Sequence, residues 1–416
     1  MNRHSRWFVK EIPTLIAKGV ITAPVAKRLV DYYTGPENPH GSRNWAIAAF
    51  SILGSILIGG GIILLYAYNW SDLSRGARAG LAFIPLIAAQ LLAGQLLLLG
   101  ERSPGRREGS STFVMLALGA CMAVVSQIYH LSDDVSSFIL VWMLMSLPLV
   151  YIFDATVPAM LYMIGVTSWV CHARSIGSNP NMFWLLAAAL APFLWNSAVK
   201  RRYALSTAWL FWVTSICTPF AVVALMDLQG HENGMLGYAS LFAALYLAGS
   251  IWFGNATSMG QQPMQVVGWS GLAVIGLMAT YQDWIRRDLF TSDPMVYAVF
   301  AVVMVFLAIA IARKLYENAV FGALPFVLLI GGQLPYSLVV LNFYVGAAAL
   351  ATLIAGYKKN RAGRFNAGLL LLSALIACRF FDSNVGLLSR GLAFIAVGLA
   401  FTMANLVMSR RAQEAK

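Results

Sequence analysis

The sequence predicts an all-α protein: a polytopic bundle of about 14 transmembrane helices, with a short cytoplasmic helical hairpin at its N-terminus. Three observations predict this fold. The 416-residue chain is 59% hydrophobic and only 11% charged, far from the average of soluble domains. Most of it divides into apolar segments near the length of about 20 residues that crosses about 30 Å of hydrocarbon. Its basic residues concentrate on alternate turns between these segments, which is typical of an oriented membrane protein.

The N-terminal region, residues 1–44, is polar and is predicted to form a helical hairpin followed by a linker. Residues 7–18 and 22–33 each have the pattern of a short helix, and Gly19 separates them. We expect the hairpin to pack on itself or on the membrane, and a protein-binding module is the alternative. This region has no apolar stretch of the kind found in a secretory signal peptide, so the first span is expected to direct insertion.

The bundle is predicted over residues 45–409, and a basic cytoplasmic tail over residues 410–416. Helices are expected because lipid offers no partner for a backbone amide, and segments of this length satisfy their amides internally as helices. The segment at 319–334 is the weakest, and a broken or re-entrant helix is the alternative there. The predicted spans are 46–67, 79–99, 113–130, 135–153, 155–173, 182–199, 204–225, 235–253, 264–284, 294–313, 319–334, 336–357, 365–381 and 388–409.

The distribution of Lys and Arg orients these spans. With the N-terminus in the cytoplasm, 22 of the 29 basic residues fall on cytoplasmic turns and tails. If the segment at 319–334 did not cross, the basic turn at 358–364 and the basic C-terminus would both lie outside. The charges therefore favour fourteen spans with both termini in the cytoplasm. The basic residues left on the outer side are Arg75, Arg78, Arg174, Arg286, Arg287, Arg379 and Arg390.

The net charge of +12 follows from this orientation and favours contact with anionic lipids of the inner leaflet. No soluble segment carries a basic stripe with interleaved aromatics, so no nucleic-acid partner is expected. The cysteines are predicted to be small buried residues, because they occur singly in or near spans. No metal-ligand spacing, nucleophile motif or cofactor motif is visible, so no cofactor is predicted and the protein is not expected to be an enzyme.

Candidate binding residues concentrate on the outer turns, where aromatic, amide or acidic side chains accompany arginines. Aromatic residues at an interface are ordinary anchors, but arginines on the disfavoured side need another explanation. Arg379 and Asp382, one helical turn apart, would either clamp neighbouring spans together or present a guanidinium to an anionic group. The predicted substrate-binding residues are Asn69, Trp70, Arg75, Gln127, Tyr129, Arg379, Asp382 and Arg390.

Three of these residues end spans that are distant in sequence but lie at one predicted depth: Asn69, Gln127 and Asp382. Polar side chains are costly in contact with lipid, so each is expected to face the bundle interior or water. We therefore predict that they line one outward-open pocket together with Arg75 and Arg390. The alternative is that each motif caps its own hairpin.

Several stretches carry a family resemblance. They are GGGIILLYAYNWSDLSRGARAGLAFIPLIAAQ at 59–90, STFVMLALGACMAVVSQIYHL at 111–131, CRFFDSNVGLLSRGLAFIAVG at 378–398, and the N-terminal hairpin. Together they resemble the bacterial membrane-protein family catalogued as domain of unknown function 2157. The resemblance implies a multi-pass protein of the bacterial inner membrane and does not imply a reaction. The family's motif residues correspond here to Asn69, Trp70, Gln127, Tyr129, Arg379, Asp382 and Arg390.

The sequence favours a transporter, or a lipid- or anion-handling carrier, whose site lies on the extracytoplasmic side. The alternative is a non-transporting scaffold that uses the same outer turns to hold an extracytoplasmic partner or lipid. The expected partners are membrane lipids, together with either an extracytoplasmic protein or an anionic small molecule. A polar cavity that reaches the middle of the membrane distinguishes the two functions, because a scaffold needs none.

Overall fold

The computed structural model describes residues 11–29, 73–100, 103–130, 134–226, 234–281, 294–334, 336–359 and 361–380, apart from residues 17, 23, 27, 255, 257 and 258. It also describes residues 386, 388, 391, 392, 395, 398 and 399. The chain forms two compact units, Met1–Leu81 and Ala82–Lys416.

The described regions are helical and contain no β-strand. The helices with defined bounds are numbered in chain order. They are α1 (Arg75–Leu98), α2 (Pro104–Tyr129), α3 (Val135–Phe153), α4 (Thr156–Ser175), α5 (Phe183–Lys200), α6 (Leu205–Leu225), α7 (Gly234–Phe253), α8 (Pro263–Met278), α9 (Pro294–Ala312), α10 (Tyr316–Gly322), α11 (Leu324–Gly331), α12 (Ser337–Lys358) and α13 (Ala362–Phe380).

In the first unit, residues 11–16 form one turn and a half of helix that ends before Gly19. Gly19 has a φ of +69°, the left-handed conformation that commonly ends a helix. The backbone N–H of Val20 donates to the carbonyl of Leu15 at 3.0 Å and closes this end. The remainder of the predicted hairpin includes residues outside the described part of the chain, so the complete hairpin stays a prediction.

Nine helices in the described part of the chain are long and apolar enough to cross a membrane: α1, α2, α3, α5, α6, α7, α9, α12 and α13. The all-helical, multi-helix membrane class predicted from the sequence is therefore confirmed. Helix α8 is apolar but has only 16 residues. The predicted span at 46–67 and most of that at 388–409 lie outside the described residues, so the count of fourteen stays a prediction.

The segment predicted to be the weakest span is two short helices, α10 and α11, which meet at Ala323. Pro325 lies in the first turn of α11, where its missing N–H costs no hydrogen bond. An eight-residue helix such as α11 rises only about 12 Å, which is less than half of the hydrocarbon thickness. The break that the sequence allowed as an alternative is present in the structure.

Helix α7 is the most enclosed of the candidate spans, with 72% of its apolar window buried. It packs against α6, α8, α9, α10 and α11. Glycines bring α7 and α8 into backbone contact, because a Cβ at Gly268 would lie 2.4 Å from the amide nitrogen of Tyr246. A Cβ at Gly249 would lie equally close, 2.4 Å, to the nitrogen of Gln265. Close approach through small residues is the usual way in which membrane helices pack.

The start of α4 is held by a carboxylate from another helix. Glu108 of α2 accepts hydrogen bonds from the backbone N–H groups of Thr156 at 2.7 Å and Val157 at 2.8 Å. Ala155, at the N-cap of α4, has no side chain that could do this. A negative charge is favourable at a helix N-terminus, so Glu108 fixes α2 to the end of α4.

Candidate functional site

A cavity of about 440 Å³ lies among α7, α8, α10, α12 and α13. This volume is within the range of about 300–1,000 Å³ that is typical of small-molecule sites. Its polar lining includes Gln262, Gln265, Glu317, Asn318, Thr352, Arg364 and Asn366, and its apolar lining includes Val266, Trp269, Ala367 and Leu370. Amide and charged groups therefore line the same space as a broad apolar wall.

The cavity opens at the end of the unit where α7, α9 and α12 finish and α8, α10 and α13 begin. The turns at this end carry the basic residues that the sequence assigns to the cytoplasmic side, including Arg313, Lys359 and Arg361. Leu370 lies eight residues after the start of α13, which corresponds to a depth of about 12 Å. The cavity thus extends well into the apolar part of the bundle.

Arg364 is the charged group that α13 contributes to the cavity. Its Nη2 donates to Oε1 of Gln265 on α8 at 3.4 Å, and Gln265 is only 6% exposed. Gln262, also buried, uses its amide NH₂ to bind the carbonyl of Ala256 at 2.9 Å. These contacts join the turn before α8 and the first turn of α13 to one polar wall.

Arg361 lies near Arg364 at the same end of the unit, although it does not line the cavity. It donates from Nη1 to the carbonyl of Gly254 at 3.2 Å. Burial lowers the pKa of the Arg361 guanidinium from its ordinary value, and the positive charge of Arg364 lowers it further. Two guanidinium groups close together produce a positive potential at this end of the cavity, which favours an anion.

The opposite wall is formed by α7 and α10. The hydroxyl of Tyr246 donates to Oδ1 of Asn318 at 3.2 Å, and both side chains are buried. Glu317, on the neighbouring position, forms an ion pair with Lys359 at 2.6 Å. Because this carboxylate already has a cationic partner, it cancels only part of the positive charge around the cavity.

Trp269 forms the deep aromatic wall. Its ring stacks on Phe321 with centroids 6.0 Å apart and planes 13° from parallel. Its Nε1 atom is buried, and no described residue accepts a hydrogen bond from it. The part of Trp269 that lines the cavity is therefore its apolar ring and not its N–H group.

A second, mostly apolar cavity of about 860 Å³ lies at the other end of α8, between α4, α6 and α7. Arg174, Tyr238 and Phe242 are among its lining residues, and Met278 lines it at the end of α8. Ser270, near the middle of α8, lines both cavities. The two cavities therefore approach one residue from opposite ends of the same helix.

The structure describes four of the eight residues that the sequence predicted to bind substrate. Arg75 is exposed in the first unit. Tyr129 is exposed, and Gln127 lines a shallow cavity of about 390 Å³ with Ser126, His130 and Asp134. Arg379 has other neighbours, described next. Asn69, Trp70, Asp382 and Arg390 lie outside the described residues, so the common outer pocket stays a prediction.

Arg379 holds the end of α13 against the end of α8. Its guanidinium lies 4.6 Å from the ring centroid of Tyr281, and Nη2 donates to Oγ1 of Thr280 at 3.1 Å. Tyr281 in turn donates from its hydroxyl to the carbonyl of Cys378 at 3.3 Å. These contacts are those of a clamp between two helix ends, which is one of the two roles predicted for Arg379. Asp382, its predicted partner, lies outside the described residues.

Residues 13–159 match the family model described as "Predicted membrane protein", domain of unknown function 2157. The predicted family resemblance is confirmed over these residues. The match covers the N-terminal region and the helices through the start of α4, and it ends before every residue that lines the two larger cavities. Neither the curated proteins nor the solved structures contain a match to this chain.

The sequence predicts a site on the outer turns and does not indicate the cavity at the basic end. The amides at 262 and 265 and the arginine at 364 each follow a predicted cytoplasmic turn. The positive-inside rule already accounts for basic residues there, so the local sequence does not mark these residues as a site. Their convergence depends on the contact between α8 and α13, which no local pattern specifies.

Asp134 provides a pH-dependent contact in the shallow cavity at the opposite end. It caps α3, and hydrogen bonds from the Ser137 hydroxyl and from the backbone N–H groups of Ser136 and Ser137 hold its pKa below the ordinary value of 3.8. A lowered pKa means that this stabilisation is complete above 3.8 and is lost as the pH falls through the folded-state pKa.

We therefore expect the melting temperature of the wild type to fall more steeply below pH 3.8 than that of Asp134→Asn, because Asn caps a helix without titrating. Thermal melts of the detergent-purified proteins between pH 2.5 and pH 6 would measure this. Parallel curves for the two proteins would show that the Asp134 cap does not contribute to acid sensitivity.

Proposed function

We propose that this protein is a multi-pass inner-membrane carrier that moves a lipid or a similar amphiphile between the two sides of the membrane. The observation that carries the proposal is the pair of cavities that reach Ser270 from opposite ends of α8. A carrier requires access to one route from both sides, whereas a scaffold that only holds a partner requires neither cavity.

The chemistry of the two cavities supports an amphiphile. The cavity at the basic end combines Arg364 with an apolar wall, and the one at the other end is mostly apolar with Arg174 among its lining residues. In this proposal the extracytoplasmic end of the route is the apolar cavity that Arg174 lines, and Gln127 lies in a separate shallow cavity. The broken segment of α10 and α11 packs against α7, so it is a candidate for the moving part.

The transport test uses proteoliposomes with a trace of NBD-labelled phosphatidylglycerol. Dithionite bleaches label in the outer leaflet only, so vesicles without protein should lose about half of the signal. Vesicles that contain the wild type are expected to lose nearly all of it. Loss of only half, with protein shown to be incorporated and folded, would overturn the carrier and favour the scaffold.

A pair of tryptophan substitutions makes this test specific to the route. Ser270→Trp places a large ring where the two cavities approach each other, and it should slow bleaching of the inner leaflet at least ten-fold. Ala298→Trp makes the same kind of change on an exposed face of α9 that lines neither cavity. It should bleach as the wild type does. Equal slowing by both variants would assign the effect to folding.

The topology is part of this proposal: fourteen spans with both termini in the cytoplasm. On a background without the native cysteines, an impermeant maleimide applied to intact cells should label Glu232→Cys. Arg106→Cys and Asn360→Cys should stay protected until the cells are permeabilised. Labelling of position 360 from outside would contradict the fourteen-span arrangement, because it would reverse every turn after α11.

A further inference from the structure

We propose that the cavity at the basic end binds the phosphate group of an anionic amphiphile at Arg364, while the apolar tail leaves between α8 and α13. The inference rests on the proposed carrier function and adds to it the ligand's head group, its orientation and the end from which it enters. Binding and transport are separate measurements, so either one can fail alone.

The head-group end is defined by donors. Arg364 offers a planar guanidinium, which is suited to two oxygens of one phosphate. Its contact with Gln265 is long, at 3.4 Å, and leaves most of its donor capacity for a ligand. Asn366 and Asn318 line the same cavity and add amide donors. The carboxylate of Glu317 also lines it, but its ion pair with Lys359 reduces repulsion of an anion.

The tail end is defined by two exposed lining residues at mid-span depth, Leu370 and Ser270. Leu370 lines the cavity and is 65% exposed, although it lies about two turns inside the apolar helix α13. Ser270 lines the cavity at a similar distance from the start of α8 and is exposed as well. In a membrane, exposed surface at this depth faces acyl chains. The cavity is therefore open toward lipid between α8 and α13, which suits a molecule with a chain.

Trp269 links the two ends. It lies one helical turn beyond Gln265 on α8, on the same face, and contributes its ring to the apolar wall. Its Nε1–H is buried away from the cavity. A ligand therefore meets the apolar ring of Trp269, which suits the start of a hydrocarbon chain below the head group.

The binding test compares three probes on the full-length protein in a neutral detergent: dioleoyl phosphatidylglycerol, dioleoyl phosphatidylcholine and inorganic phosphate. Thermal shift and native mass spectrometry should show saturable binding of phosphatidylglycerol. Phosphatidylcholine should bind at least ten-fold more weakly, because its own cation competes with Arg364 for the phosphate. Inorganic phosphate should give no shift at equal concentration, because it lacks the tail.

The variants locate the site. Arg364→Gln should weaken phosphatidylglycerol binding ten-fold or more, as expected from the loss of a charge-assisted hydrogen bond. Arg313→Gln removes a charge at the same end, from a residue that binds the carbonyl of Ile251 and does not line the cavity. It should leave binding within two-fold of the wild type. Equal losses in both variants would indicate general attraction to a basic surface and would overturn the site.

Two further variants keep the inference falsifiable if Arg364→Gln does not fold. Trp269→Ala removes the aromatic ring from the apolar wall, and should weaken binding several-fold. Ala367→Leu fills the cavity and leaves Arg364 in place, and should also weaken binding. Unchanged affinity in both variants would overturn the inference. Binding of inorganic phosphate as tight as that of the lipid would overturn the amphiphile and indicate a site for free anions.

Discussion

Replacement of Gly268 by leucine is expected to prevent the stable folding of the second unit. The first side-chain carbon at this position would lie 2.4 Å from the amide nitrogen of Tyr246 and 2.7 Å from the carbonyl oxygen of Phe242. Both are backbone atoms, so no rotation of a side chain can relieve the contact. The helices α7 and α8 would have to separate along their whole interface, and we expect a loss of about 3 kcal/mol or more.

The measurement is the midpoint of unfolding in mixed micelles, together with the fraction of protein that elutes as a single species in size exclusion. Gly94→Ala is the matched control, because Gly94 lies within the apolar helix α1 and a Cβ there meets nothing within 4 Å. This control should be neutral or slightly stabilising, since alanine favours a helix more than glycine does. A stable Gly268→Leu protein would contradict the backbone contact between α7 and α8.

Replacement of Glu108 by alanine is expected to have the second largest effect. The two backbone N–H groups of Thr156 and Val157 would lose both carboxylate oxygens at once, and Thr156 is buried. Loss of these charge-assisted hydrogen bonds should cost about 2 kcal/mol. Glu108→Gln keeps one acceptor oxygen, so its loss should be about half as large. The same unfolding midpoint measures both variants.

The control for Glu108 is an acidic residue near the same helix end. Asp154 pairs with Arg201 on a partly exposed surface, and its backbone has a φ of +45°. Asn tolerates this conformation, and exposed ion pairs contribute little, so Asp154→Asn should change stability by less than about 1 kcal/mol. If Asp154→Asn were as damaging as Glu108→Ala, the loss of a negative charge near α4 would explain both results. The hydrogen bonds from Thr156 and Val157 to Glu108 would then not be needed to explain the loss of stability.

The membrane class of this protein could be predicted from its sequence because hydrophobic length is a local property. Each span is recognisable by itself, as the helices α3, α6 and α9 show, because both ends of each lie within a few residues of the predicted bounds. For the segment that contains Ala323, the sequence predicts a single span and supports a broken helix only as the alternative. Pro325 and the nearby glycines are compatible with a kinked helix as well as with two short ones.

The candidate site was less predictable because it depends on distant contacts. Gln265 and Arg364 are 99 positions apart in the chain, and nothing in either local sequence indicates their hydrogen bond. Glu108 likewise has no local pattern that indicates its role, yet it caps a helix 48 residues further on. The residues singled out from the sequence were those with unusual local context, such as Arg379. Local context indicates that a residue is constrained, and the tertiary contacts show which neighbouring residues constrain it.

The enclosure of α7 has a consequence for the way in which this chain is made. During synthesis α7 leaves the ribosome before α8 to α11, which later cover most of its surface, so it first meets lipid. Its buried serines have hydrogen-bond acceptors within the same helix. Ser240 donates to the carbonyl of Leu236 at 2.7 Å, and Ser250 donates to the carbonyl of Tyr246 at 2.8 Å. Tyr246 differs, since the hydroxyl's acceptor, Asn318, is synthesised 72 residues later. A nascent chain that stops before α10 therefore lacks the acceptor of the Tyr246 hydroxyl, although Gln265 of α8, the other hydrogen-bond partner of this side chain, has already been made.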